Sequence, residues 1–269
     1  MQLLHCKQYN RGNSHQPPLV MLHGFLGSSD DWQDFALSLP KNIGCYAIDL
    51  PGHGKSINIE LSADDAFAQC SQLIAATLEK QGLSQYILLG YSLGGRIALY
   101  HACQYPDKIK GLILESCHFG LSDAKQKQQR ILSDNTWADR FSTDNLTDVL
   151  LHWYQQDVFT SLTESQKQNL IIMRSQLNGA AIGKMLLATS LGKQTCLAVK
   201  FATLNIPSYY FFGEKDFKYQ AIANKFKQLC SHLTTLKVTQ SGHNIHFEQP
   251  KIFTNKIVEI YAQLLANKN

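Results

Sequence analysis

Gly90-Tyr91-Ser92-Leu93-Gly94 constrains this chain more than any other stretch. It follows the apolar run Tyr86-Ile87-Leu88-Leu89 and opens a helical pattern that reaches about Tyr105, where Pro106 stops it. A strand that turns sharply into a helix holds its serine at the tip of a strained elbow, with Oγ exposed above a sheet. Glycines flank the serine because a Cβ at either position would strike the neighbouring strand or helix. A serine hydroxyl is a weak nucleophile or base alone. It needs a histidine to take its proton and an acid to hold that histidine in the right tautomer.

Both partners follow in the order serine, acid, histidine. Pro207-Ser208-Tyr209-Tyr210-Phe211-Phe212 reads as a buried strand, with Gly213-Glu214-Lys215-Asp216 at its carboxyl end. Leu236-Lys237-Val238-Thr239 reads as another strand, followed by Ser241-Gly242-His243. Loops at the carboxyl ends of strands are where open α/β sheets build their sites. Ser92, Asp216 and His243 are therefore the expected catalytic residues, with Glu214 a nearby competitor for Asp216. An oxyanion hole needs two backbone N–H groups. Leu93 supplies one, and Phe25 is the candidate for the other, in the loop His23-Gly24-Phe25-Leu26-Gly27 after the strand Leu19–Leu22. His23 is expected to brace that loop by hydrogen bonds.

Strands and helices alternate from Leu19 to about Ser116, the pattern of a mostly parallel sheet with helices on both faces. Met1–His5 looks like a first strand and not a signal peptide. Ser62 is expected to cap a helix carrying the stripe Phe67, Cys70, Ile74 and Leu78, which Gly82 ends. From His118 to Lys200 the strand signals stop and a polar, helical stretch punctuated by Trp137, Phe141, Leu150, Trp153 and Phe159 takes over. The expected division is a core of residues 1–117 and 201–269 with a helical cap, 118–200, inserted between its halves. A last helix after Pro250 carries Phe253, Ile257, Ile260 and Leu264 at helical spacing.

Composition narrows the functions. A net charge of +4 without any run of lysine or arginine argues against nucleic acid and suits a small acidic ligand. Seven cysteines without a C-x-x-C pair read as reduced thiols in a cytoplasmic protein, with Cys117 lining the site. No apolar run reaches membrane-span length, so no stable membrane insertion is expected. No dinucleotide fingerprint, P-loop or metal cluster appears, and neither cofactor nor metal is expected. His243 and His246 have H-x-x-H spacing, but no acidic or cysteine neighbour in sequence completes a metal site. The oligomeric state stays open.

Three segments make the chain resemble the α/β-hydrolase superfamily. They are His23–Gly27 with Trp32, Asp49–Ser56, and Ser241-Gly242-His243 with Glu248 and Pro250. Further stretches resemble one family inside it, the 2-succinyl-6-hydroxy-2,4-cyclohexadiene-1-carboxylate synthases of menaquinone biosynthesis. These are Gly90–Arg96, Trp153-Tyr154-Gln155-Gln156, Arg174-Ser175 with Asn178-Gly179, Ala188–Leu191, and Gly242-His243-Asn244 with His246. The resemblance implies an α/β-hydrolase fold and a lyase that eliminates pyruvate from an enolpyruvyl tricarboxylate. It also implies that Arg96, Arg130 and Arg174 bind substrate carboxylates, with Tyr91 and Trp153 as pocket walls. Arginine suits this task because its fork pairs bidentately with a carboxylate. The same triad could serve a carboxylesterase, a thioesterase or a carbon–carbon bond hydrolase, and fold alone never excludes a non-catalytic binding protein.

Overall fold

In the computed structural model, which describes residues 2–62 and 64–266, seven strands form one sheet. They are β1 (Cys6–Asn10), β2 (Leu19–Leu22), β3 (Cys45–Ile48), β4 (Tyr86–Tyr91), β5 (Ile109–Glu115), β6 (Ser208–Gly213) and β7 (Leu233–Val238). Their order is β1-β3-β2-β4-β5-β6-β7, antiparallel only between β1 and β3. The central strands are mostly apolar, Lys110 and Glu115 of β5 apart, because both faces are covered. Successive residues feed opposite cores. Val20, Leu22, Leu88, Leu112 and Leu114 meet the helices Ala66–Lys80 and Leu93–Gln104 on one face. Leu19, Met21, Ile87, Leu89 and Ile113 meet the helices Gln33–Ser38 and Pro250–Ala266 on the other.

Two local expectations are corrected. The first strand starts at Cys6, not within Met1–His5 (Met1 lies outside the described residues). Side chains take the backbone donors there: Leu4 N–H donates to Thr77 Oγ1 at 3.0 Å and His5 N–H to Ser56 Oγ at 2.9 Å. Ser62 does not cap the following helix. Asp65 precedes Ala66 at that helix's start, while Ser62 donates its N–H to Gln69 Oε1 at 2.9 Å. The other end is as read. Gly82 takes a left-handed φ of +75°, and the N–H groups of Gly82 and Leu83 close on Glu79 O and Leu78 O, both at 2.9 Å.

Between β5 and β6 the chain is helical: Ala124–Thr143, Leu146–Trp153, Glu164–Arg174, Gly179–Ala188 and the short Ala198–Ala202. Its polar residues mark the starts. Asp123, Asn145, Thr163 and Asn178 each accept an N–H of the first turn. Phe141, Leu150, Leu170 and Ile182 form their own cluster, which reaches the core through Leu26. No helix of the described residues is long and apolar enough to cross a membrane.

Candidate active site

At the end of β4 the backbone turns through Ser92 with φ 50° and ψ −108°. Ser92 N–H donates to Glu115 O at 2.9 Å, and Arg96 N–H donates to Ser92 O at 3.0 Å as the first bond of the next helix. A Cβ on Gly94 would run into the carbonyl oxygens of Leu22 and His23. One on Gly95 would lie 2.6 Å from Cys117 Cβ. The elbow therefore requires glycine and carries Ser92 out of the sheet.

β6 and β7 bring the other two groups to Ser92. Ser92 Oγ–H donates to His243 Nε2 at 3.1 Å, and His243 Nδ1–H donates to Asp216 Oδ2 at 2.9 Å. The second carboxylate oxygen, Oδ1, accepts Tyr219 N–H at 3.1 Å at the start of the helix Phe217–Leu229. With both oxygens occupied, Asp216 cannot rotate without losing a bond. Tyr219 packs on the imidazole at 4.5 Å. Glu248 grips the histidine loop on both sides, accepting Gly242 N–H at 2.9 Å and Asn244 N–H at 3.2 Å. Glu214 is apart from this relay: it is half-buried, 3.6 Å from Lys237, and accepts Gln240 N–H.

The loop after β2 is braced by two buried histidines. Leu26 has a left-handed φ of 67° and donates its N–H to His53 Nε2 at 3.2 Å, while His53 Nδ1–H donates to Pro51 O. His23 Nδ1–H donates to Gly24 O at 2.7 Å, and Nε2 accepts Leu50 N–H at 3.0 Å. Each ring must be neutral to accept at Nε2. Burial enforces this, holding His23 below its ordinary pKa and pushing His53 down to about 3. Phe25 is thereby fixed opposite the elbow. Among the described residues neither Phe25 N–H nor Leu93 N–H has a protein acceptor.

Ser92, His243, Phe25 and Leu93 line one cavity of about 480 Å³, as do Tyr91 and Trp153. All three arginines reach it, in different electrostatic states. Arg130 is held by Asp134 one turn on, at 2.8 Å. Arg174 pairs with Asp31 at 2.6 Å, linking the helix Glu164–Arg174 to the loop after β2. Burial works to lower the Arg174 pKa, but Asp31 and Tyr154 outweigh it and the net shift is upward. Arg96 is buried with only neutral acceptors, Gln194 Oε1 at 2.8 Å and Thr189 O. Among the described residues no carboxylate lies within ion-pair distance of it. Burial, followed by the neighbouring Arg130 charge, lowers its pKa to about 10, so it remains a cation at pH 7.

Cys117 does not line the cavity, contrary to expectation; it packs behind the elbow against Gly95. Its thiol is pushed up by burial. Sequence reading also passed over Lys218 at the cavity rim, the Glu248 grip, and Glu115, an acid that follows the apolar run Leu112-Ile113-Leu114 at the end of its strand. That last pattern was the available signal. Among the described residues no group of three or more histidines, cysteines or acids is placed to hold a metal ion.

Residues 17–250 match the alpha/beta hydrolase fold family. A 2-succinyl-6-hydroxy-2,4-cyclohexadiene-1-carboxylate synthase from Enterobacter sp. (strain 638) is 44% identical over 236 residues, covering 87% of each chain. One from Pectobacterium atrosepticum is 43% identical over 90% of this chain and 92% of its own. The solved structure of MenH from S. aureus superposes with a TM-score of 0.87 at 27% identity, over 97% of this chain and 99% of that one. A thermophilic esterase from Thermogutta terrifontis shares the fold, with a TM-score of 0.80 at 19% identity over 97% of this chain and 93% of that one. The elbow, the sheet order and identity above 40% along most of the chain lead to one conclusion: this chain belongs to the 2-succinyl-6-hydroxy-2,4-cyclohexadiene-1-carboxylate synthase family of the α/β-hydrolase fold.

Proposed function

We propose that this chain converts 2-succinyl-5-enolpyruvyl-6-hydroxy-3-cyclohexene-1-carboxylate to 2-succinyl-6-hydroxy-2,4-cyclohexadiene-1-carboxylate and pyruvate, a step of menaquinone biosynthesis. Ser92, relieved of its proton by His243, takes a proton from the carbon beside the succinyl ketone. Asp216 steadies the resulting imidazolium. The N–H groups of Phe25 and Leu93 receive the enolate oxygen as charge develops on it. The enolate then collapses: its electrons form a C=C bond between ring carbons 2 and 3, the existing C3=C4 bond shifts to C4=C5, the C5–O bond to the enolpyruvyl group breaks, and pyruvate leaves as its enol. No water is consumed, which separates this reaction from ester cleavage at the same triad.

The observation that carries the reading is Arg96, a buried cation without a carboxylate partner on the cavity that holds Ser92. A neutral ester would leave that charge unpaired in a low-dielectric site, whereas a tricarboxylate supplies its counterion. Arg130 and Arg174 retain N–H groups beyond those their own carboxylates take, and serve the remaining carboxylates. Tyr91 and Trp153 wall the site. Residues 118–200 form the cap that closes it over the core of 1–117 and 201–269. A cytoplasmic location belongs to the same reading, since all seven cysteines are free thiols suited to a reducing compartment.

The test follows pyruvate release from the enolpyruvyl substrate with a coupled dehydrogenase. Wild type should release it rapidly, and Ser92→Ala should fall by about 10³- to 10⁶-fold. A folded wild-type protein that cleaves neutral esters and releases no pyruvate overturns the assignment.

A further inference from the structure

The cavity holds a second imidazole bound to a carboxylate. Glu115 closes β5 and is fully buried. Its oxygens converge on His246. Oε1 accepts the His246 backbone N–H at 3.0 Å, and Nδ1–H donates to Oε2 at 2.8 Å. The ring is fixed between Trp32, stacked at 4.3 Å, and the edge of Tyr91 at 5.0 Å. It lines the cavity. Among the described residues no protein atom bonds its Nε2, and Nε2 is not one of the sealed polar atoms without a partner. His243 lies 5.5 Å from the same Tyr91 ring, so the two imidazoles flank Tyr91 on one wall.

This arrangement repeats that of Asp216 on His243. A carboxylate on Nδ1–H fixes the tautomer and supports positive charge on the ring when Nε2 also carries a proton. The elimination has a use for such a group. Breaking the C–O bond leaves an electron pair on the enolpyruvyl oxygen, and that oxygen departs more readily if it is protonated as it leaves. His243 Nε2 faces Ser92 and at that moment holds the proton taken from Ser92.

We propose that His246, held by Glu115, gives the departing enolpyruvyl oxygen its proton; the proposal rests on the lyase reading above. The enolate electrons form the C2=C3 bond, the ring's C3=C4 bond shifts to C4=C5, the C5–O bond breaks toward oxygen, and Nε2–H passes its proton to that oxygen. The enol of pyruvate then ketonises. His246 is left neutral and His243 protonated, and solvent returns one proton to the first from the second.

The experiment separates proton abstraction from expulsion by running the reaction in deuterium oxide and recovering unreacted substrate. For His246→Gln, pyruvate release should fall by about 10²-fold. The recovered substrate should carry deuterium beside the succinyl ketone, because the enolate forms and returns faster than it expels. Glu115→Gln keeps an acceptor for Nδ1–H but removes the charge, and should shift the same partition in the same direction. Ser92→Ala should show neither release nor exchange. Release and exchange falling together in His246→Gln would make His246 a support of the triad, and unchanged release would make it a bystander. Either result overturns the proposal. A wild-type protein that releases no pyruvate fails at the lyase reading itself and takes this inference with it.

Discussion

In the proposed reaction Ser92 carries two demands that conflict, a reactive hydroxyl and a backbone conformation that suits glycine. Its φ of 50° with ψ of −108° lies where a Cβ is crowded, a cost of about 1–3 kcal/mol that the surrounding sheet and helix impose. Ser92→Gly should therefore raise the thermal midpoint while abolishing turnover. Ser92→Ala, which keeps the Cβ, should stay near the wild-type midpoint. Equal midpoints for the two variants would mean the elbow stores no strain. At this scale much was readable in advance. Ser92, Asp216 and His243 follow strand patterns in order, and the relay of 3.1 and 2.9 Å joins them. The grip of Glu248 and the pairing of Glu115 were not read: Glu248 meets backbone N–H groups of an irregular loop, and Glu115 meets a histidine ring 131 residues on.

Between elements, the ion pair of Arg174 and Asp31 joins the helix Glu164–Arg174 to the loop after β2. Both side chains are largely buried, at 10% and 15% exposure, and Asp31 Oδ1 already lacks a partner. Removing the arginine alone strands a carboxylate. Arg174→Ala should cost about 3–5 kcal/mol in a urea titration, and adding Asp31→Ala should recover part of that loss. Strictly additive effects would show that the pair does not couple the two elements. The helices were legible because their caps and apolar spacings are local. The Arg130 pair, although passed over, had a local signal, since Asp134 follows four residues on in the same helix; the Arg174 pair had none, since Asp31 lies 143 residues away.

Across the whole molecule, histidines buried as neutral rings set an acid limit. Burial is the leading cause that takes His53 and His101 from an ordinary 6.5 to about 3, and His118 to about 4. Between those values and 6.5 the unfolded chain binds protons that the folded chain refuses. Stability is thus complete above pH 6.5 and should fall progressively as pH drops toward 3. Urea midpoints measured across that range check this, and a flat profile would contradict it. The sequence by itself determined the parallel sheet, the elbow, the order of the triad and the helical stretch between β5 and β6. Each follows from periodicity, glycine sterics and turn chemistry within a few residues. Only the tertiary structure decided which cation is left unpaired, which carboxylate grips which loop, and that a second imidazole shares the wall with the first. Those are matters of what each charge meets after burial, and the partners of Arg96 and His246 lie 98 and 131 residues away in the chain.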